Sequence, residues 1–364
     1  MPATIYDIAE GASVSIATVS RVFNGHPRVS DATRQRVVDV AESLGYQPHA
    51  SAQSLARRQT GLISAVVPMM TSAFFMEVLR GVQERLDASH YDLLVYASRS
   101  MSSLEAQIGR AVQRGRSDGV LLVSTPLTDA RAGALAASKR PVVLVDSSHP
   151  DFDSVSIDNR LGGVVATRHL AERGHQRIAM LMPVEDSGPA RERREGYREA
   201  LDAAGLDADP DYVVVADWDH GNHGYTRYAG YRAMQELLSR FEGREGERPT
   251  AVFVAADVMA FGALRAAREA GLQSPRDLEL VGFDDVEASA YAGLTTLRQP
   301  MAEMGRLAAE KLVRRLEAPG APAQHTVFAP RLVARQTTGA EAAEIPSADP
   351  TPYAEAPAPV LTHP

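Results

Sequence analysis

Three short segments with helical apolar period open the chain; from about residue 60 compact apolar runs alternate with helical stretches, and the last residues show no period at all. Thr4 precedes the first periodic run and has Asp7 three residues on, a helix-opening pattern, and Gly11 can end that helix. Ser15 can cap a second helix over Ile16–Phe23, and Asn24-Gly25 marks the turn that closes it. Ser30 opens a third, whose Val37, Val40, Ala41 and Leu44 share one face before Gly45 stops it. Two short helices joined by a tight turn and braced by a third make a helix-turn-helix unit, so the first part of the chain is expected to bind DNA.

From Leu62 onward the runs 62–68, 92–98, 119–124 and 141–146 read as buried parallel strands, each followed by a helix or a crossover loop. A second series follows at 177–182, 212–216, 251–255 and 278–284, with helices near 161–173, 191–204, 228–241 and 258–271. The fold class expected is an α-helical helix-turn-helix head plus an α/β bilobed core of two doubly wound parallel sheets. In such sheets ligands bind beyond the carboxyl ends of the strands, here the cleft between lobes. After Gly339 the chain is rich in Ala, Pro and acid and cannot pack a core.

Composition trims the possibilities. At 364 residues a small head plus a larger core is the natural division. The absence of cysteine excludes disulfides, thiolate catalysis and Cys-ligated zinc fingers. With neither a signal-peptide pattern nor an apolar run long enough to span a bilayer, a cytoplasmic location without membrane contact is expected. Charge gives little support to DNA binding by count. Residues 1–60 hold six basic and five acidic side chains, leaving nine net negative charges on the remainder of a chain whose total is −8. Placement therefore decides: Arg21, Arg28, Arg34, Arg36, Arg57 and Arg58 can face phosphates, although for Arg34 and Arg36 a merely solvated position is as good a reading.

The recognition helix would present Ile16, Ala17, Ser20 and Arg21 to base edges, Arg21 donating two hydrogen bonds to a guanine and Ile16 and Ala17 packing on thymine methyls. Thr18 and Ser20, with Ser30 and Thr33 on the next helix, suit phosphate oxygens. Ile16 and Ala17 could instead belong to the core of the head, but Val14, Val19 and Val22 already supply its inward stripe.

The stretches IYDIAEGASVSIATVSRVFNG, VSDATRQRVVDVAESLGYQP and SAQSLARR, in this order, resemble the amino terminus of the LacI/GalR family of bacterial repressors. SIDNRLGGVVATRHLAERGHQRIAML, ARERREGYREAL, AVFVAADVMAFGALRAAREAGL and LELVGFDD carry the likeness on toward Gly339. The resemblance implies DNA contacts for Ile5, Ser15, Ile16, Ala17, Thr18, Ser20, Arg21, Asn24, Arg28, Val29, Ser30, Thr33, Tyr46, His49, Ala52 and Leu55. Residues 49–57 resemble a hinge helix that forms on operator DNA, with Leu55 as a minor-groove wedge and Ala52 allowing close approach. Such an arrangement needs two heads, hence a homodimer on a pseudo-palindromic operator.

By the same resemblance Arg193 clamps effector hydroxyls while Asp146, Trp218 and Asp284 line the cleft, with Phe74 or Phe75 as a second wall or as plain core. A guanidinium fork and carboxylates suit vicinal hydroxyls, and an indole suits a sugar's apolar face. The implied organisation is a head over 1–47, hinge and linker over 48–60, a core over 61–339 and a disordered tail over 340–364. The lobes would divide as about 61–159 with 293–325, and about 160–292 with 326–339. Where the family has Asn-Asp this chain has Ala256-Asp257, so one ligand-binding amide is missing.

The function implied is that of a repressor of carbohydrate-utilisation genes under a sugar or sugar phosphate; a purine-responsive co-repressor system is the alternative. A transport solute-binding protein shares such a core but would need a signal peptide and no head. Enzyme activity is not expected: no Walker loop, nucleophile elbow or zinc-protease motif is present, and Asp284-Asp285 has no evident nucleophile partner. No cofactor is implied. His220 and His223 with Asp217 and Asp219 fit no specific metal-ligand spacing, so no metal is expected there.

Overall fold

A computed structural model describes residues 3–23, 26–46, 59–98, 101–125, 127–184, 187–216, 224–244, 246–341 and 360–361. The head holds α1 (Ile5–Gly11), α2 (Ile16–Phe23) and α3 (Asp31–Ser43). At the start of α1 the Asp7 carboxylate accepts the Thr4 amide at 2.7 Å and its hydroxyl at 2.8 Å. Those bonds hold the Asp7 carboxyl below its usual value. Ser15 and Ser30 cap α2 and α3 by accepting the Thr18 and Thr33 amides. Ile8, Ala12, Val19, Val22, Val37 and Ala41 close the small core between them. Leu44, expected on the inward face of the third helix, is instead 44% exposed. Leu44 is the C-cap residue of α3, where the helix is already ending and turns away from the head's core.

The core begins with β1 (Leu62–Val67), α4 (Ala73–Leu86), β2 (Asp92–Ala97), α5 (Met101–Ala111), β3 (Gly119–Val123), α6 (Asp129–Ala137), β4 (Val142–Val145) and β5 (Asp153–Ile157). The second lobe holds α7 (Asn159–Glu172), β6 (Ile178–Met182), α8 (Gly188–Ala203), β7 (Val213–Val215), α9 (Arg227–Arg240), β8 (Ala251–Val254), α10 (Asp257–Glu269), β9 (Glu279–Asp284), α11 (Glu287–Tyr291) and β10 (Thr295–Arg298). The chain returns to the first lobe as α12 (Met301–Glu317) and β11 (His325–Phe328), then to the second as β12 (Arg331–Val333). Near the carboxyl end lies a further short strand, β13 (Val360–Leu361).

One sheet runs β13-β11-β5-β4-β3-β1-β2 and the other β12-β10-β9-β8-β6-β7, parallel except where β13 and β12 pair antiparallel. The central strands β1, β3, β4, β6 and β8 are buried, largely apolar runs because helices cover both faces of the sheets, while the edge strands β2, β7 and β12 are only partly buried.

Two of the expected lobe boundaries are corrected. β10 does not leave the second lobe: Thr295–Arg298 pairs in register with Val281–Asp284 of β9, held further by the Thr296 hydroxyl on Asp257. β11 belongs to the first lobe, pairing with Ser154–Ile157 of β5, a strand that the sequence pattern did not single out. The crossings fall at 158, 299–300 and 329–330, the last two at prolines that cannot continue a ladder. The tail is not wholly unpaired either. Val360 and Leu361 pair with Phe328 and Val327, an apolar dipeptide finding the open edge of β11, while 342–359 and 362–364 lie outside the described residues. The expected hinge helix and wedge, His49, Ala52 and Leu55, also lie outside them, as do Asn24 and Trp218.

Candidate functional site

Two surfaces carry the expected chemistry. On the head, α2 buries Val19 and Val22 and turns Ile16, Ala17 and Arg21 to solvent, Ile16 being 41% exposed. A β-branched side chain left exposed at the start of a helix, beside an exposed arginine, is available to a partner surface. Thr18 and Ser20 are half-buried on the flanks, and Ser15 and Ser30 stand exposed at the two helix starts. Arg28 is exposed, whereas Ile5, Val29 and Tyr46 lean on the head's apolar core, Tyr46 with its ring centroid 5.7 Å from that of Phe23.

Arg34 takes neither role weighed for it. Its guanidinium donates to the Val22 carbonyl at 3.2 Å and the His26 carbonyl at 3.1 Å, fastening the end of α2 to the start of α3. It is a strut inside the motif.

Between the lobes lies a cavity of about 340 Å³, within the range of small-ligand sites. Phe75 and Asp146 from the first lobe and Arg193 and Asp284 from the second all line it, so four of the five expected effector residues converge there. Phe75 is also 5% exposed and part of the first-lobe core, so wall and core are one and the same for this ring. Phe74 lines the cavity beside it, edge to face at 5.3 Å.

Arg193 is 3% exposed and fixed from three sides. Nε donates to Asn159 Oδ1 at 2.9 Å, Nη1 to the Ala255 carbonyl at 2.5 Å, and the guanidinium carbon lies 3.6 Å from the Phe283 ring centroid. Nη2 has no hydrogen bond to a described residue. Its backbone placement depends on α7 and α8 crossing very closely: a Cβ at Gly163 would lie 2.1 Å from the Arg193 carbonyl oxygen, and one at Gly196 2.0 Å from that of Arg160. Glycine at both positions is what lets the helices touch.

On the first lobe, Asp146 Oδ2 accepts the Ser124 hydroxyl at 2.7 Å, while Oδ1 is buried without a partner among the described residues. Burial pushes this carboxyl up to about 6, the Ser124 bond opposing. Asp284 Oδ1 accepts from Gln299 Nε2 at 2.7 Å; burial, then the neighbouring Asp257 charge, raises it well above the usual carboxylate range. Glu192, which accepts from Asn159 Nδ2 at 3.1 Å, is raised by burial as well.

Asn159, Tyr225 and Gln299 belong to this site although the sequence reading did not single them out. Asn159 could have been found as the residue that follows a helix cap within SIDNR; Tyr225 and Gln299 sit on connections with no periodic signal. Tyr225 shares a hydrogen bond of 2.8 Å with Ser187, the cap of α8, and burial raises its hydroxyl. Ala256 lines the cavity as the cap residue of α10 and supplies no side-chain bond there. Asp257 points away from the ligand space and instead accepts the Ser289 and Thr296 hydroxyls and the Val286 amide. It is a hub for the second lobe rather than a ligand group.

Comparison with known proteins agrees with this division. The family described as bacterial regulatory proteins, lacI family, matches residues 4–49, and the periplasmic binding protein-like domain matches 167–338. Catabolite control protein A of Priestia megaterium is 34% identical over 319 residues, covering 86% of this chain and 92% of that one. The ribose operon repressor of Escherichia coli (strain K12) is 34% identical over 338 residues, 92% of this chain and 99% of that one. The crystal structure of the lac repressor dimer bound to operator and the anti-inducer ONPF superposes with a TM-score of 0.79 at 30% identity, covering 93% of this chain and 99% of that one. A head with a solvent-facing α2 and a bilobed core closed around a cavity, over nearly the full length of such relatives, leaves one assignment: the chain belongs to the LacI family of bacterial transcriptional regulators.

Proposed function

We propose that this protein is a cytoplasmic homodimer that represses carbohydrate-utilisation genes and releases or tightens its operator when a sugar enters the cleft. The observation that carries the effector reading is the bridging character of the cavity. Asp146 Oδ1 on one lobe and Nη2 of Arg193 on the other, neither hydrogen-bonded to a described residue, can each take a ligand hydroxyl, so a bound polyol ties the lobes together. Binding free energy spent on one lobe arrangement changes the separation of the two linkers and with it operator affinity. The ribose operon repressor, by its name, acts on a sugar operon, and a similar solved structure is a transcriptional regulator CelR-cellobiose complex.

Within that class the site favours an uncharged sugar over a sugar phosphate. Three carboxyl groups, of Asp146, Glu192 and Asp284, line it against two guanidinium groups, Arg191 and an Arg193 already committed to Asn159 and the Ala255 carbonyl. Ala256 contributes no amide, so the effector has fewer polar contacts at the start of α10 than an asparagine there would give. On the head, Ile16, Ala17 and Arg21 read bases in the major groove, with Ser15, Thr18, Ser20, Ser30 and Thr33 on phosphates. No step of this mechanism asks the cleft for chemistry, and none of its residues is assigned a catalytic role.

The test is a ligand panel of neutral sugars, sugar phosphates and purines, read by melting temperature and by binding to duplexes that the protein selects from a random library. A neutral sugar should raise the core melting temperature and shift duplex affinity together. A purine or a phosphorylated sugar doing so alone would replace this reading of the effector.

A further inference from the structure

The segment that leaves the head reaches the core at Thr60 and Gly61, directly before β1. Gly61 has φ +71°, a backbone turn that a side chain would strain. At this point the Asp118 carboxylate accepts the Thr60 amide at 2.8 and 2.9 Å, one distance to each oxygen, and the Gly61 amide at 2.8 Å. Asp118 immediately precedes β3 and is only 6% exposed. Among the described residues no cation pairs with it. The Gly61 carbonyl in turn accepts the Asp92 amide at 2.8 Å, and the Asp118 amide donates to the Leu62 carbonyl at 2.8 Å. The root of the linker is thus stitched to both strands that flank β1.

A buried carboxylate whose hydrogen-bond partners among the described residues are two amides of one short segment acts as a clamp. Lifting Thr60 and Gly61 away would leave the charge buried with no donor among the described residues, so sliding or fraying of the root costs the desolvation of that charge unless water enters. We propose that Asp118 is a positioning residue for DNA binding: it fixes the point at which each linker leaves the core, and so sets the separation of half-sites that the paired heads accept. This rests on the dimeric DNA-binding reading above. Movement of the first lobe is then passed to the linker through a rigid joint rather than a slack one.

Asp118→Asn keeps the size of the side chain but removes its charge and one acceptor. With its oxygen in the Oδ1 place the Gly61 amide loses its partner; with its oxygen in the Oδ2 place the two amides share one neutral acceptor while the new NH2 group faces the Thr60 N–H, donor against donor. The exposed Asp92→Asn is the control, since its carboxylate holds neither amide. The full-length proteins are compared on the duplex that the wild type selects from a random library, and on versions with one base pair added or removed between the half-sites. The wild type and Asp92→Asn should lose about tenfold or more on altered spacing, while Asp118→Asn should bind the optimal duplex about tenfold more weakly and discriminate spacing only weakly.

An Asp118→Asn protein that keeps the wild-type spacing penalty overturns the proposal while leaving the DNA-binding reading intact. So does one that loses affinity equally at every spacing together with a lowered core melting temperature, which marks a structural role alone. A wild type that selects no two-part duplex overturns the reading on which the proposal stands.

Discussion

Gly163→Ala tests whether the arginine in the cleft is placed by helix packing. The added Cβ would stand 2.1 Å from the Arg193 carbonyl oxygen, 2.9 Å from its carbonyl carbon and 3.1 Å from its Cα. All three are backbone atoms, so no side chain can swing aside, and α8 must move off α7 by about 1 Å or more to restore ordinary contact distances. Alanine in a helix interior gains about 0.5–1 kcal/mol over glycine. Overpacking costs about 1–3 kcal/mol, so the net effect is a destabilisation on the order of 1–2 kcal/mol of the second lobe. The larger consequence is local. Arg193 moves with its helix, while Asn159 and the Ala255 carbonyl that hold its guanidinium stay on other elements. Losing one hydrogen bond to a charged group is worth about 1.5–3 kcal/mol, or roughly a 10- to 150-fold weaker effector. Calorimetric titration with the sugar found in the panel, beside thermal unfolding, reads both effects. Gly133→Ala on α6 is the control, because a Cβ there meets nothing within 4 Å and should leave affinity unchanged. If Gly163→Ala binds the sugar as the wild type does, with an unchanged melting temperature, Arg193 is not placed by this crossing and the argument fails.

Three further outcomes follow from the same geometry. Arg21→Ala should cost about 1–3 kcal/mol of operator binding and relax preference at one base pair, read by binding to a set of single-base operator variants. Arg34→Ala should destabilise the head by about 1–3 kcal/mol through loss of its two carbonyl bonds. It should leave the salt dependence of DNA binding unchanged; a slope lower by about one would make Arg34 a phosphate contact instead. A ligand hydroxyl donating to Asp146 favours its ionised form, so effector affinity should fall as pH drops through about 6, and Asp146→Asn should flatten that fall. The same raised carboxyl opposes folding above its folded value. Its contribution to stability in the empty protein is present below the unfolded value of 3.8 and is lost as pH rises through about 6.

Periodicity exposes what is local. The limits of α2 could be read to the residue, and the eight strands and four helices expected in the core each have an observed counterpart shifted by three residues or fewer, because apolar parallel strands and their covering helices carry strong signals. The lobe crossings could not be read that way. Thr295–Arg298 is short and mostly polar, and its pairing with β9 is supported by Asp257 reaching Thr296 from another element. The same limit explains the site. Arg193 and Asp284 sit in recognisable motifs, but Gln299 becomes a cavity residue only because the chain crosses between lobes there. Arg34 shows the reverse case: a charge pattern that suits phosphate is consumed by two carbonyls that only the fold brings near.

The backbone around the cleft indicates which parts move. Ser124, Asp146, Asp284 and Asp285, at the carboxyl ends of β3, β4 and β9, have φ of 45°, 56°, 128° and 59°. None is glycine, and each such conformation costs about 1–3 kcal/mol unless its surroundings enforce it. The enforcement is present. Ser124 bonds Asp146, Gln299 bonds Asp284, and Asp285 forms ion pairs with Arg298 and Arg335. Ser124 and Asp146 stay within the first lobe, and the Asp285 pairs within the second. The Gln299 bond joins Asp284 to the first residue of a crossing. Strain held within each lobe makes the two halves of the site stiff, so a ligand that bridges Asp146 and Arg193 has little freedom to reshape either wall. Its binding free energy goes instead into the three crossings at 158, 299–300 and 329–330, where the chain passes from one lobe to the other. Softening one wall should therefore weaken the coupling between sugar and operator more than it weakens the sugar itself. Asp285→Asn, which loosens the Arg298 and Arg335 pairs behind the cleft, is the variant in which those two quantities should separate.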